Sequence, residues 1–360
     1  MQTLEHAPFV NPFDPEVQAD PEATYGPLRK ETSVVRTPLG VSVIGRDAAH
    51  RVLTDPTVLH GLSVLGNLQG GGAGGELSDL LSSTILALDG EDHTRIRRLV
   101  SRSFTPKSAD RHRDRMRQLT DELFAGFGAQ GSCEFVSQFA DHYPVQVICE
   151  VLGVPREHHE DFARWGDVLT YVLSLELMAH RAEIEQAVGE LNAYLTGLIE
   201  DRTASPRDDL VTSLVQASEA GDRLSEAELR ALIGGLLFAG YDTTRNQLGF
   251  ALYLFTQHPD QWVQLAEQPE LAAQAVNEVM RMASVVNGTI RIATEAIEVD
   301  GWALPAGTFI HVSLASSNRD EALFEAPATF DITREGPAHI AFGAGPHFCL
   351  GANLARAEME

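Results

Sequence analysis

Apolar and polar positions along this chain fall into two rhythms. From about residue 91 to 285 the apolar residues recur at helical spacing in long amphipathic segments with few Pro or Gly breaks, whereas residues 30 to 55 and 286 to 315 read as strand-rich. The pattern predicts a mixed, helix-dominated architecture. Its most legible helix opens at Ser225, where Ser225 and Glu228 make a capping-box pattern, and runs without proline to His258, just before Pro259. At the helical rise it extends roughly 48 Å, and its apolar middle predicts burial. A second helix is predicted around Pro269 to Ala283. The segment Gly61 to Ser83, with Gly66, Gly70, Gly71, Gly72, Gly74 and Gly75, reads as a loop and lacks a phosphate-loop or dinucleotide fingerprint.

Three stretches interrupt these patterns with chemistry. In the apolar middle of the long helix, Ala239-Gly240-Tyr241-Asp242-Thr243-Thr244 brings an acid and two hydroxyls into a setting where unpaired polar groups cost free energy, so it is either a capped kink or a site. On the second helix, Glu278 and Arg281 share a face at i and i+3, which taken alone describes an ordinary surface salt bridge. Near the C-terminus, Ala341-Phe342-Gly343-Ala344-Gly345-Pro346-His347-Phe348-Cys349-Leu350-Gly351-Ala352 wraps three glycines and a proline around one cysteine. Such a loop can aim backbone amides at a thiolate, and the helix predicted from Asn353 to Glu358 adds its N-terminal dipole. Cys149, inside Val147-Ile148-Cys149-Glu150-Val151-Leu152, reads instead as a buried, inert thiol, and Cys133 has no supporting constellation.

Composition narrows the field. A chain of 360 residues that is 44% hydrophobic can bury one large core or two medium ones. No apolar run is long enough to span a bilayer, and Met1 to His6 lacks the basic and apolar regions of a signal peptide, so a soluble cytoplasmic protein is expected. Three scattered cysteines do not make a disulfide scaffold or a cysteine zinc site. The formal charge of -24 excludes nucleic acid as a general partner. Yet nine of the 27 Lys and Arg fall between Arg95 and Arg117, which reads as a docking face for an acidic partner or as a solvated helix face.

The run Phe342 to Gly351 matches F-G-x-G-x-H-x-C-x-G, and on it the chain resembles the cytochrome P-450 family, whose heme-binding signature this is. Other landmarks follow in order. Glu278 and Arg281 resemble the E-x-x-R helix motif, Ala239 to Thr244 the A-G-x-[DE]-T-T segment, and His93 and Arg97 the H-x-x-x-R that meets heme propionates. Arg291 and His347 resemble further propionate partners, and Phe330 to Arg334 the segment that adds Arg334 to the Glu278 and Arg281 pair as a structural brace.

The resemblance implies a mainly α fold with small β-sheets, a triangular single domain over 1–360 with the long central helix over the heme. It implies heme b with Cys349 as the axial ligand to iron, cofactor contacts from Phe342, Gly351 and Gly240, and electrons originating in NAD(P)H and arriving through redox partners. Asp242 and Thr243 become the expected proton-delivering pair, Gly240 the residue that leaves room for oxygen, and Thr244 a structural hydroxyl bonding back to helix carbonyls. The implied protein is a soluble bacterial-type monooxygenase that hydroxylates or epoxidises a lipophilic small molecule, monomeric, away from membranes, and served by a ferredoxin or similar acidic redox partner on the proximal face near Arg98 and Arg102. A peroxide-using heme-thiolate enzyme and a non-catalytic heme-binding relative are the alternatives. Ile85, Leu86, Leu169, Val172, Val285 and Val286, with the glycine-rich loop, are the expected substrate surroundings. Family members usually continue beyond the cysteine helix, so a C-terminal portion is expected to be missing after Glu360.

Overall fold

Short β-branched runs at the start of the chain and after residue 287 pair into one sheet. The computed structural model describes residues 2–61, 83–174, 176–219 and 222–360. Their Cα atoms cluster into two compact units, one from 1–61, 250–349 and 360, the other from within 62–249 and from 350–359. The first unit opens with β1 (Gln2–Thr3), β2 (Val34–Thr37) and β3 (Gly40–Val43), followed by α1 (Arg46–Thr54) and β4 (Val58–His60). The strand-rich reading of 30 to 55 therefore ends at Val43. Ala48, Ala49, Val52 and Leu53 form a helical stripe that buries against the sheet, and that burial outweighs the β-preference of the flanking valines.

The second unit is helical: α2 (Gly90–Val100), α3 (Pro106–Asp110), α4 (Arg113–Phe127), α5 (Tyr143–Leu152), α6 (His159–Leu169), α7 (Arg181–Ala204), α8 (Leu210–Val215) and α9 (Glu226–Gln257), whose residues from 250 onward belong to the first. At the head of α9, Ser225 N donates to Glu228 Oε2 at 2.7 Å and Glu228 N to Ser225 Oγ at 3.3 Å, the reciprocal bonds of a capping box. The helix buries a stripe through Leu229, Leu232, Ile233, Leu237, Tyr241 and Thr244, with half-buried residues between. Helix α6 approaches it closely at Gly166, where a Cβ would lie 2.6 Å from Tyr241 Cδ1, so any larger residue would force the two helices apart.

The chain returns to the first unit with α10 (Ala272–Met282), β5 (Gly288–Ala293), β6 (Ile297–Val299), β7 (Trp302–Leu304) and β8 (Phe309–Ser313). The main sheet has the order β2-β3-β8-β5-β4, with β3 and β8 parallel and the other pairs antiparallel. A smaller sheet joins β1, β7 and β6. Helix α11 (Ala352–Met359) then packs in the second unit, where Leu354 and Ala357 enter the apolar cluster. Among the described residues, no helix is long and apolar enough to cross a membrane.

Candidate active site

In the first unit, the segment before Cys349 is a tight, hydrogen-bonded loop. Gly343 N donates to Ile340 O at 2.8 Å, Phe348 N to Gly345 O at 3.0 Å, and Cys349 N to Phe342 O at 2.9 Å. Gly343 and Gly345 take φ of 74° and 70°, and at Gly345 a Cβ would also lie 2.3 Å from Leu53 O at the end of α1. The loop thus holds the cysteine against α1 in a path that only glycine can follow. Cys349 is exposed, and residues 336–357 contain no Asp or Glu to oppose a thiolate. Cys149 is the contrasting case. It is fully buried in α5, and burial pushes its thiol far above the ordinary value, as the inert reading expects.

Glu278 and Arg281 on α10 are each 3% exposed, which turns a pattern typical of surface pairs into a buried one. Arg281 Nε and Nη2 donate to the two Glu278 oxygens at 2.8 Å each, and Arg334 Nε donates to Glu278 Oε1 at 3.1 Å. Arg281 spends its remaining donors on the carbonyls of Asn318, Pro327 and Thr329. Asn318, fully buried, accepts the Ile340 amide through Oδ1 at 2.7 Å. Sequence reasoning missed Asn318. It lies 22 residues before Ile340, and only the fold brings the brace, Asn318 and the start of the cysteine loop into one hydrogen-bonded series.

Also in the first unit, Arg291 on β5 is 4% exposed and donates through Nη1 to Thr289 Oγ1 and Ile290 O, both at 2.8 Å. Directly across the antiparallel ladder from it is His60 on β4, whose ring centroid is 4.9 Å from that of His347. His60 was not among the sequence candidates.

In the second unit, His93 and Arg97 stand one turn apart on α2, His93 buried and Arg97 half-buried. On α9, Thr243 Oγ1 donates to Ala239 O at 2.6 Å. The hydroxyl expected to bond back to the helix was that of Thr244, and the helical phase gives the bond to Thr243 instead. Asn246 Nδ2 donates to both the carbonyl oxygen of Asp242, at 2.8 Å, and its Oδ1, at 2.9 Å. Burial raises the Asp242 carboxyl above the usual aspartate range, opposed by the Arg245 charge and the Asn246 hydrogen bond. Arg245 pairs with Asp141 and Asp167 at 2.8 and 2.9 Å, and Tyr241 Oη donates to Asp167 at 2.8 Å. A Cβ at Gly240 would touch Ile148 at 3.4 Å, an ordinary contact, so packing within this unit does not require glycine there.

Within the basic run, seven of the nine residues fall into two groups. Arg95, Arg113, Arg115 and Arg117 are paired with acids of the same unit. Arg98, Arg102 and Arg111, with His112, Asp208 and Ser213, line a cleft of about 460 Å³, in which Arg111 and Asp208 are only loosely paired at 3.9 Å.

The cytochrome P450 family model matches residues 77–360. The chain belongs to the cytochrome P450 family. Luteothin monooxygenase of Streptomyces thioluteus is 37% identical over 359 residues, covering 98% of this chain and 86% of that one. Vitamin D(3) 25-hydroxylase of Pseudonocardia autotrophica is 40% identical, covering 76% and 67%. Among solved structures, P450BioI in complex with an acyl carrier protein ligated to hexadec-9Z-enoic acid aligns with a TM-score of 0.88 at 28% identity, covering 96% of this chain and 89% of that one.

This P450 is accordingly a monooxygenase of bacterial type, with heme b as its cofactor and electrons drawn from NAD(P)H through redox partners. Its own residues fit that cofactor. The exposed Cys349 thiol offers the soft ligand iron takes, nothing crowds the missing Cβ of Gly351, Phe348 is 40% exposed, and the loop carries no opposing acid. Of the expected substrate surroundings, Leu169 and Val172 are buried in the core of the second unit, Ile85 and Val285 are half-buried, and Leu86 and Val286 are exposed. The glycine-rich residues expected to join them lie outside the described residues.

Proposed function

We propose that this P450 oxidises a lipophilic small molecule of polyketide or sterol-like size, with Cys349 as the iron ligand and Asp242 and Thr243 as the proton-handling pair. The hydroxyl of Thr243 carries this reading. With its proton given to Ala239 O, its lone pairs remain to accept a hydrogen bond, so it can hold a proton donor at one fixed place. A heme held by the Cys349 thiolate would supply the activation of O2, in which two electrons and two protons are consumed as one oxygen atom enters the substrate and the other leaves as water.

Asp242 serves as the proton carrier. Its raised proton affinity brings it closer to the working pH than an ordinary aspartate, and Asn246 holds the carboxylate by one oxygen. As the resemblance implies for each, Arg97, Arg291, His93 and His347 would hold the heme carboxylates through donors and charge, and Phe342 and Gly351 would contribute cofactor contacts from the cysteine loop. Glu278, Arg281 and Arg334 act at a distance, by fixing the loop that carries the sulfur. Gly240 keeps α9 free of a side chain where oxygen enters.

Electrons arrive from a ferredoxin whose acidic face meets Arg98, Arg102 and Arg111 around their cleft. Substrates named for the relatives, luteothin and vitamin D(3) among them, support a bulky lipophilic substrate class here. The deciding experiment is the carbon monoxide difference spectrum of the heme-loaded, reduced chain. A strongly red-shifted Soret band that is lost in Cys349→Ala supports thiolate ligation, and an unshifted band overturns it. Reversing the charge at Arg102 is expected to raise the KM for ferredoxin, and unchanged ferredoxin-supported turnover would remove Arg102 from the docking face.

A further inference from the structure

We propose that the cleft between α2, α3 and α8 is a binding site for a small phosphate-bearing anion, held by the guanidinium groups of Arg102 and Arg111. The site goes beyond the docking of a ferredoxin, because it concerns what enters the cleft and not what meets its rim.

Three short stretches of the second unit make the walls. The 3-10 turn Ser101–Phe104 after α2 brings Arg102 and Ser103, α3 and the two residues after it bring Ser108, Arg111 and His112, and the end of α8 brings Gln216. Leu99, Val151 and Leu210 line the cleft too and are buried, so charges there stand against a low-dielectric backing that focuses their field. At about 460 Å³ the cleft has the size of a small-molecule site, for which about 300–1,000 Å³ is usual.

Charge in the cleft is out of balance. Of the two acids that line it, the Asp209 side chain is 6% exposed and has both oxygens engaged, Oδ2 by Arg202 Nε and Oδ1 by the Thr212 amide at 2.8 Å. Asp208 is fully exposed and approaches Arg111 at 3.9 Å, beyond hydrogen-bond distance. Glu150, close enough to act on His112, is tied to Arg115 at 2.8 Å. Arg102 makes no hydrogen bond or ion pair among the described residues. Two guanidinium charges therefore face one solvated carboxylate, on a chain whose formal charge is -24.

The donors suit phosphate. A guanidinium fork takes oxyanions through two parallel hydrogen bonds, and a phosphate group presents several pairs of oxygens in that geometry. Arg111 Nη2 donates to Ser108 Oγ at 3.3 Å, which orients the fork and leaves the Ser108 proton for another acceptor. The Ser103 hydroxyl and the Gln216 amide are neutral donors for the remaining oxygens. Burial and the Arg111 charge hold the His112 imidazole below its ordinary pKa, so it adds a hydrogen-bonding ring and not a further charge.

Isothermal titration calorimetry of the heme-loaded protein with sodium pyrophosphate, ADP and adenosine tests the site. Pyrophosphate and ADP are expected to bind with a Kd below about 1 mM, and adenosine not to bind. Arg102→Gln and Arg111→Gln are each expected to weaken pyrophosphate binding about tenfold, the scale of one charge-assisted hydrogen bond. Arg117→Gln removes an equal charge outside the cleft and is expected to change it less than about twofold. ADP binding more tightly than pyrophosphate would support the site and make its ligand an organic phosphate, and equal affinity would support it for an inorganic one. Equal weakening by all three variants would reduce the effect to net charge and overturn the site, as would no binding tighter than about 1 mM. Ferredoxin-supported turnover in saturating pyrophosphate separates this site from ferredoxin docking. A raised KM for ferredoxin means that both use these arginines, whereas an unchanged KM with pyrophosphate bound keeps the anion site and removes ferredoxin from the cleft.

Discussion

Arg281 and Arg245 both sit on helices among carboxylates, and they differ chiefly in burial. The side chain of Arg281 is 2% exposed and its partner Glu278 3%, while Arg245 is 26% exposed and its partners Asp141 and Asp167 are 32% and 57%. Every donor of Arg281 is spent on fixed acceptors, so its cluster has one arrangement. Arg245 is held by groups in contact with water and stands one turn from Asp242, whose proton affinity it lowers. Burial makes the first cluster a brace, and partial exposure makes the second adjustable.

The largest expected effect breaks the brace. Arg281→Ala takes from the buried Glu278 carboxylate its two-pronged partner, leaving Arg334 alone to oppose its charge, and is expected to cost about 3–5 kcal/mol in urea denaturation of the heme-loaded protein, with Arg281→Lys restoring little because lysine lacks the planar fork. A loss below about 1 kcal/mol would make this pair equivalent to a surface one.

Next comes the acid beside the second cluster. Asp242→Asn is expected to lower product formation by about 100-fold while leaving the carbon monoxide band in place, since it removes a proton carrier and not the iron ligand. Its effect on stability has the opposite sign. Because the folded-state pKa of Asp242 is raised, its contribution to stability is present in full below the ordinary aspartate pKa and is lost as pH rises through the folded value. Asp242→Asn is therefore expected to be more stable than the parent at neutral pH, with the difference closing as pH falls to about 4 in parallel melts.

Arg245→Gln sharpens the comparison with a smaller change. Removing the cation that opposes burial at Asp242 is expected to move that carboxyl further up, so the alkaline fall in turnover shifts to higher pH. A pH profile that does not move would show that Arg245 leaves the acid untouched. Arg117→Ala is the smallest. Its pair with Asp114 is 70% and 92% exposed, and its loss is expected to cost no more than about 0.5 kcal/mol by denaturation.

Much of the fold was legible because its signals are local. The capping box at Ser225 and Glu228, the helices from 91 onward and the strands after 286 each follow from residues within a few positions of one another. The helix α1 was missed because its stripe, Ala48 to Leu53, is short and abuts strong β-formers, and only the sheet beneath it selects the helix. The reversal between Thr243 and Thr244 has a different origin. Adjacent hydroxyls on a helix differ by about 100° in direction, and their letters do not say which one meets a free carbonyl.

By itself, the sequence determined which cysteine could serve as a ligand, the order of the landmarks around it, and the acid and hydroxyl on the long helix, since each is a contiguous pattern whose chemistry is carried by its own residues. Only the tertiary structure decided that Glu278 and Arg281 are a buried brace, that Asn318 links them to the cysteine loop, and that His60 stands opposite Arg291 and against His347. Those facts depend on burial and on strand register between segments more than 200 residues apart, or on single hydrogen bonds across intervening turns, and neither leaves a periodic trace in the chain.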